Sequence, residues 1–245
     1  MKLYYSNHLT NKIRERNTSH LLLEKVLKEY YPFYAAETVR RTDGGKPYLE
    51  SPDAPVFSIS HTGTLWLCVV TDHTIGIDAE HLNRRIVRPL KLAERYFSEE
   101  EFRFIASAPD GEKTAEDTED SSPSSADVPE EFPSPTEKKP AEIERFQWER
   151  IIPGGNTDAW TVSERLLLIW TRKEAFLKYT GEGLGKLTGS RSVMKEPEGL
   201  SIRSYRNGTV LLSVCAEETF RKEAITEYID LDNGKVHKNV RFFRR

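Results

Sequence analysis

Residues 76–81 read GIDAEH and lie a few positions beyond the apolar run LWLCVV. In an extended chain residues i and i+2 point to the same face, so Asp78 and Glu80 stand side by side and repel each other. Such a pair needs a partner, and a bound cation is the obvious one. The plainer reading is a strand end facing solvent, with Arg84 or Arg85 nearby. A second ionisable group follows in WTRKEAFLK, 170–178. There Trp170, Glu174 and Lys178 recur every fourth residue and share one helix face, with Lys173 alongside. The flanking LLLI and AFL argue for burial of that helix. A solvated Glu174–Lys178 pair, worth about 0.2–0.5 kcal/mol, is the alternative.

These acids and bases must be held by the surrounding elements. The periodicity predicts a helix over SHLLLEKVLKEYY, with Leu22, Leu23, Val26 and Leu27 on one face. A turn at DGGKP precedes VFSISHTG, and strands LWLCVVTD and TIGIDAEH follow with a short turn between them. A helix is expected over RPLKLAERYFSEEEFRFIA, with a stripe of Leu90, Ala93, Tyr96 and Phe97. The helix carrying Glu174 has Ser163 as a candidate N-cap and closes at Gly181. Two hairpins are expected beyond it, turning at Asn207-Gly208 and Asn233-Gly234. Helices beside antiparallel strands in each half make an α+β pattern.

The 245 residues can bury one substantial core or two small ones. No stretch approaches the length of a membrane span. The N-terminus, MKLYYSNHLTNKIRER, carries no apolar signal region. Cys68 and Cys215 sit in strand-like apolar runs and read as buried thiols rather than a disulfide, which suits a cytoplasmic location. Charge is unevenly spread. Residues 107–160 hold 14 acidic and 5 basic residues, a local charge of −9, while the remainder carries +6. That segment is rich in Pro, Ser, Glu and Asp and reads as a disordered insertion, with an acidic partner-binding arm as the alternative. The chain is thus expected to divide into 1–106, the insertion at 107–160, and 161–245. The mildly basic body favours anionic partners. Its scattered basic residues, without an aromatic-basic platform, argue against a nucleic-acid module.

Taken in order, GKP (45–47), SISHTG (58–63), GIDAE (76–80), YFSEEE (96–101) and WTRKEAFLK (170–178) resemble the 4′-phosphopantetheinyl transferases of the surfactin-synthetase-activating type. The resemblance implies two similar halves, each a small antiparallel sheet packed with a long helix, and a coenzyme site in the cleft between them. It implies a monomer that moves the phosphopantetheine arm of coenzyme A to a serine of an apo acyl or peptidyl carrier protein, releasing adenosine 3′,5′-bisphosphate. It further implies Mg²⁺ held by Asp78, Glu80 and Glu174. By the same resemblance Lys46, Ser60, His61, Lys173 and Lys178 contact the coenzyme. Glu101 accepts the serine proton, and Lys178 and Glu174 complete the catalytic set. A hard cation on carboxylates suits this chemistry, because pyrophosphate oxygens gather negative charge as the serine attacks. Near the first helix the chain departs from the family pattern, offering Arg14, Arg16 and His20 there and Arg40 and Arg41 before the turn. Two other functions share parts of this pattern. One is a different Mg²⁺-dependent enzyme that cleaves nucleotide pyrophosphates; the other is a non-catalytic homologue that binds carrier proteins.

Overall fold

Leu23, Val26 and Leu27 bury one face of a 19-residue helix, α1 (Lys12–Tyr30), as their spacing predicts. In the computed structural model, which describes residues 1–7, 12–111, 147–183, 191–218, 227–238 and 241–243, α1 follows the first strand, β1 (Lys2–Ser6). A two-residue ladder, β2 (Arg40–Arg41) with β3 (Pro47–Tyr48), forms the GKP turn. Next come β4 (Val56–Thr62), β5 (Leu65–Thr71) and β6 (Ile75–His81).

The expected helix over 88–106 is two helices, α2 (Pro89–Tyr96) and α3 (Glu99–Ala106). The break has a local cause. Ser98 is extended and caps α3: its hydroxyl accepts the Glu101 N–H while the Glu101 carboxylate accepts the Ser98 N–H. The following long helix, α4 (Val162–Thr180), starts one residue before Ser163. Its N-cap is Thr161, whose capping box with Glu164 outcompetes the serine. Both Asn-Gly turns form. They join β8 (Leu200–Asn207) to β9 (Val210–Glu217), and β10 (Glu227–Asp230) to β11 (Val236–Lys238). Gly208 and Gly234 take the positive φ that these tight turns require, 56° and 69°.

The stretch read as an insertion is folded near its end. β7 (Gln147–Ile151) lies within it, with Trp148 fully buried. A large aromatic and Ile151 supply the apolar surface that the acidic stretch lacks. Residues 112–146 of that expected insertion lie outside the described residues.

Two five-stranded sheets result, ordered β11-β10-β1-β5-β4 and, with β12 (Arg241–Phe243), β12-β7-β8-β9-β6. Leu3, Leu67 and Val69 of the first meet Ile77, Trp148 and Leu212 of the second in a shared core. α1 covers the outer face of the first sheet through Leu23, Val26 and Leu27 against Tyr4 and Cys68. α4, with α2 and α3, covers the second through Leu166, Ile169 and Ala175 against Ile202 and Cys215. The architecture is mixed α+β, and both cysteines are free and buried.

Sheet membership does not follow the sequence division at 106/107 and 160/161. β6 leaves its neighbour β5 and pairs with β9, while β10 pairs in parallel with β1. The first sheet therefore takes two strands, β10 and β11, from the later part of the chain, and the second takes β6 from the earlier part.

Candidate active site

β6 crosses α4 at Gly76 with no room for a side chain. A Cβ there would stand 2.0 Å from the Ala175 carbonyl oxygen and 2.3 Å from the Tyr179 nitrogen. This backbone-on-backbone approach brings the strand acids to the helix. Lys178 Nζ donates to Asp78 Oδ1 at 2.7 Å and lies 3.7 Å from Glu174 Oε2. From β4, the Ser60 hydroxyl donates to Asp78 Oδ1 at 2.8 Å and the Thr62 hydroxyl to Glu80 Oε2 at 2.9 Å. The Arg84 guanidinium pairs with Glu80 Oε1. The structure thus joins Asp78, Glu80, Glu174, Lys178 and Ser60 in one cluster. It adds Thr62 and Arg84, of which only Arg84 was considered from sequence, as a neighbour of the solvent-facing alternative.

Three carboxylates face two cations in this buried cluster. Burial pushes the Glu80 carboxyl up to about 7, with Arg84 pulling down and the Asp78 charge pushing further up. Burial and then Asp78 raise Glu174, against Lys178 and a hydrogen bond from Trp170. Burial opposes the Lys178 ammonium, but Asp78 and Glu174 outweigh it and raise its pKa. Among the described residues the three acids outnumber the two cations, and carboxylate oxygens are the ligand atoms that suit a hard divalent cation. Among the described residues no three His, Cys, Asp or Glu side chains converge as a metal-holding group. An ammonium, Lys178, stands between Asp78 and Glu174.

Glu101 and Lys173 lie in a different setting. Lys173 Nζ is 3.0 Å from Glu101 Oε2, and the two side chains are 1% and 0% exposed. The Glu101 carboxylate also accepts from Ser98 N and Val193 N, both at 2.8 Å. Its bonds therefore tie α3 and the 191–193 segment to α4. Glu101, the acid expected to accept the serine proton, is thus fully buried and ion-paired in this structure. Lys173, held on Glu101, is likewise removed from solvent. Lys178 is 28% exposed and is the lysine of the two that a substrate can reach.

Lys46 donates to the Ile75 carbonyl at 2.9 Å, anchoring the GKP turn to the start of β6, and burial lowers its pKa. The same turn packs on the end of α4, where a Cβ on Gly44 would stand 2.0 Å from the Gly181 oxygen. Ser60 is buried, and its hydroxyl is committed to Asp78 and to the Ala79 N–H. His61 follows on the opposite face of β4 and is exposed. Arg40 faces Glu50 at 3.4 Å, and Arg41 donates to the Gly45 carbonyl. His20 pairs with Glu24 on α1. The side chains of Arg14 and Arg16 lie outside the described residues.

The segment that carries these acids and α4 matches a known family. Residues 74–229 match the model of the 4′-phosphopantetheinyl transferase superfamily, so the chain belongs to that superfamily. A 4′-phosphopantetheinyl transferase, psf-1, from Bacillus pumilus is 30% identical over 92 residues. That match spans 36% of this chain and 37% of the relative.

Proposed function

We propose that the protein transfers the 4′-phosphopantetheine arm of coenzyme A to a serine of an apo acyl or peptidyl carrier protein, releasing adenosine 3′,5′-bisphosphate. The observation that carries this reading is the Asp78–Lys178–Glu174 cluster at the β6–α4 crossing, inside the family-matched segment. We read the two sheet-and-helix units, which exchange strands across the chain, as the two halves expected of the fold, with the coenzyme in the cleft between them and the molecule acting as a monomer.

Asp78, Glu80 and Glu174 would hold Mg²⁺. That ion, when bound, would offset the charge gathering on the pyrophosphate oxygens. Lys178, 28% exposed, would exchange Asp78 for a phosphate oxygen and stabilise or protonate the departing phosphate. His61, on the exposed face of β4, and Lys46, within the GKP turn, contact the coenzyme. Lys173 and Glu101 act through position: they fix α4 against α3, so that Glu174 and Lys178 present the same face to β6.

Intact-mass analysis of apo carrier proteins incubated with the protein, coenzyme A and Mg²⁺ tests the reading. A gain of one phosphopantetheine arm, lost with Glu174→Ala or a chelator, is the expected result. Release of adenosine bisphosphate with no gain on any carrier would favour a nucleotide pyrophosphate-cleaving enzyme instead. Neither product would favour a carrier-binding homologue without catalysis.

A further inference from the structure

Residues 191–193 belong to no helix or strand, yet Val193 is 1% exposed and lies in one core cluster with Leu166 and Ile169 of α4. An irregular segment at that depth must find partners for its backbone groups inside the protein. Two neighbouring helices supply them. Val193 N donates to Glu101 Oε1 of α3 at 2.8 Å, and its carbonyl accepts from Arg172 Nε of α4 at 2.7 Å. Lys173 Nζ donates to the Arg191 carbonyl at 3.3 Å, and the Ser192 hydroxyl donates to Glu100 Oε2 at 3.1 Å. Arg172 also donates to the Ile202 carbonyl at 2.9 Å and to Ser204 Oγ at 3.3 Å, both on β8.

Arg172 is 3% exposed, and these three oxygens are all neutral. A buried charge is costly unless it is hydrogen-bonded. The planar guanidinium meets that need with donors in a fixed fork, which here spans two carbonyls from separate stretches of chain. Contacts run on from Val193 to the site. Its N–H bonds Glu101, and Glu101 pairs with Lys173. Lys173 Nζ stands 5.6 Å from the Phe97 ring centroid, and that ring is 6.2 Å from Trp170, which hydrogen-bonds Glu174.

We propose that Arg172 is a positioning residue for α4: by gripping Val193 it keeps Glu101 on Lys173, and through Phe97 and Trp170 it holds Glu174 in place beside Lys178. The role rests on the transferase reading for its bearing on catalysis, and on the described bonds for its geometry. Three consecutive residues of α4 then have separate tasks. Arg172 holds a segment of chain, Lys173 holds a buried acid, and Glu174 is left to the cluster at β6.

Arg172→Met keeps the length and removes the donors, Arg172→Lys returns a charge and part of the bonding, and Ser204→Ala removes one contact while sparing both carbonyls. Pulse acetylation read by peptide mass spectrometry reports the release of Lys173. Alkylation of buried Cys68 in the same samples reports global unfolding. Arg172→Met is expected to acetylate Lys173 about 10-fold faster or more, with Cys68 still protected. Its kcat for carrier modification should fall about 10-fold or more, while KM for coenzyme A moves less than about threefold. Arg172→Lys should recover part of both, and Ser204→Ala should leave Lys173 protected. Wild-type acetylation of Lys173 in folded Arg172→Met would overturn the role, as would release by Ser204→Ala to the same extent, or a loss carried by KM alone. If Arg172→Met exposes Cys68, the wild type decides. There the Val193 amide should exchange, and Lys173 should acetylate, through one opening equilibrium that agrees within about threefold, and an amide about 10-fold freer would overturn the role. A wild type that modifies no carrier would overturn the transferase reading alone, since acetylation and exchange judge the grip of Arg172 without it.

Discussion

Lys173 and Glu174 are neighbours in sequence, yet successive helix positions turn by about 100° and carry them to different partners. Lys173 goes to Glu101 in a pair shut away from water, and Glu174 to the cluster with Asp78 and Lys178. A buried pair loses most when one partner is removed, because the other charge is left unmatched. Lys173→Met is therefore expected to destabilise the protein by about 3–5 kcal/mol. Adding Glu101→Gln, which removes the orphaned charge, should recover part of that loss in denaturant titrations. Equal or additive losses would show that the pair is not coupled. The cysteines give a second expectation. Burial raises both thiols, Cys215 to about 12 and Cys68 further. In the unfolded chain a thiol ionises near pH 8.5. Below that value both states keep the proton and stability is unaffected. As pH rises above it, the unfolded state sheds protons that the folded state retains, so stability falls. The melting temperature should drop above about pH 9, less so for Cys215→Ala relative to its own value at pH 7. Neither native thiol should react with a thiol reagent until the chain unfolds.

At the scale of elements, Gly76 decides whether strand and helix meet. Gly76→Ala forces a Cβ into the Ala175 carbonyl, and neither backbone can yield cheaply. The expected result is a protein less stable by about 1–3 kcal/mol or more, with β6 displaced from α4. Transfer activity, measured by carrier mass gain, should fall further than stability alone explains, since Lys178 and Glu174 lose register with Asp78. The glycine of the GxDxE pattern was legible as a letter, but its reason was not, because the helix it touches lies about a hundred residues away. What could be read directly was local: the α1 face, the Asn-Gly hairpins and the Gly181 stop. The break at Ser98 was also local but hidden, since a continuous apolar stripe masked a capping box. The acids and Lys178 were legible from spacing on one strand and one helix. The supports from β4 were not, because a hydroxyl pattern on a strand gives no sign of which edge it will face. That depends on β6 abandoning β5 for β9, a pairing set by the whole core.

That exchange of strands governs the molecule as a whole. β6 supplies one edge of the second sheet, and β10 and β11 supply the other edge of the first, so each sheet is incomplete without chain from beyond the acidic stretch. A fragment ending at residue 106 would keep β1 with its β10 side unpaired and β6 with no β9 to bond. It would also expose Leu3, Leu67, Val69 and Ile77, which meet Trp148, Leu212 and Tyr228 in the shared core. Unpaired strand edges beside an uncovered apolar face cannot support a folded unit of this size. The fragment 1–106 alone is therefore expected to show no cooperative melting and few dispersed amide signals in nuclear magnetic resonance spectra. Mixed with 147–245, it should recover a cooperative transition and dispersed signals, because the break falls outside both sheets. Independent folding of 1–106 would mean that the β1–β10 and β6–β9 pairings are dispensable. The candidate site would then be an assembly of two finished domains, whereas the observed pairings make Asp78 and Glu174 meet only when the whole chain has folded.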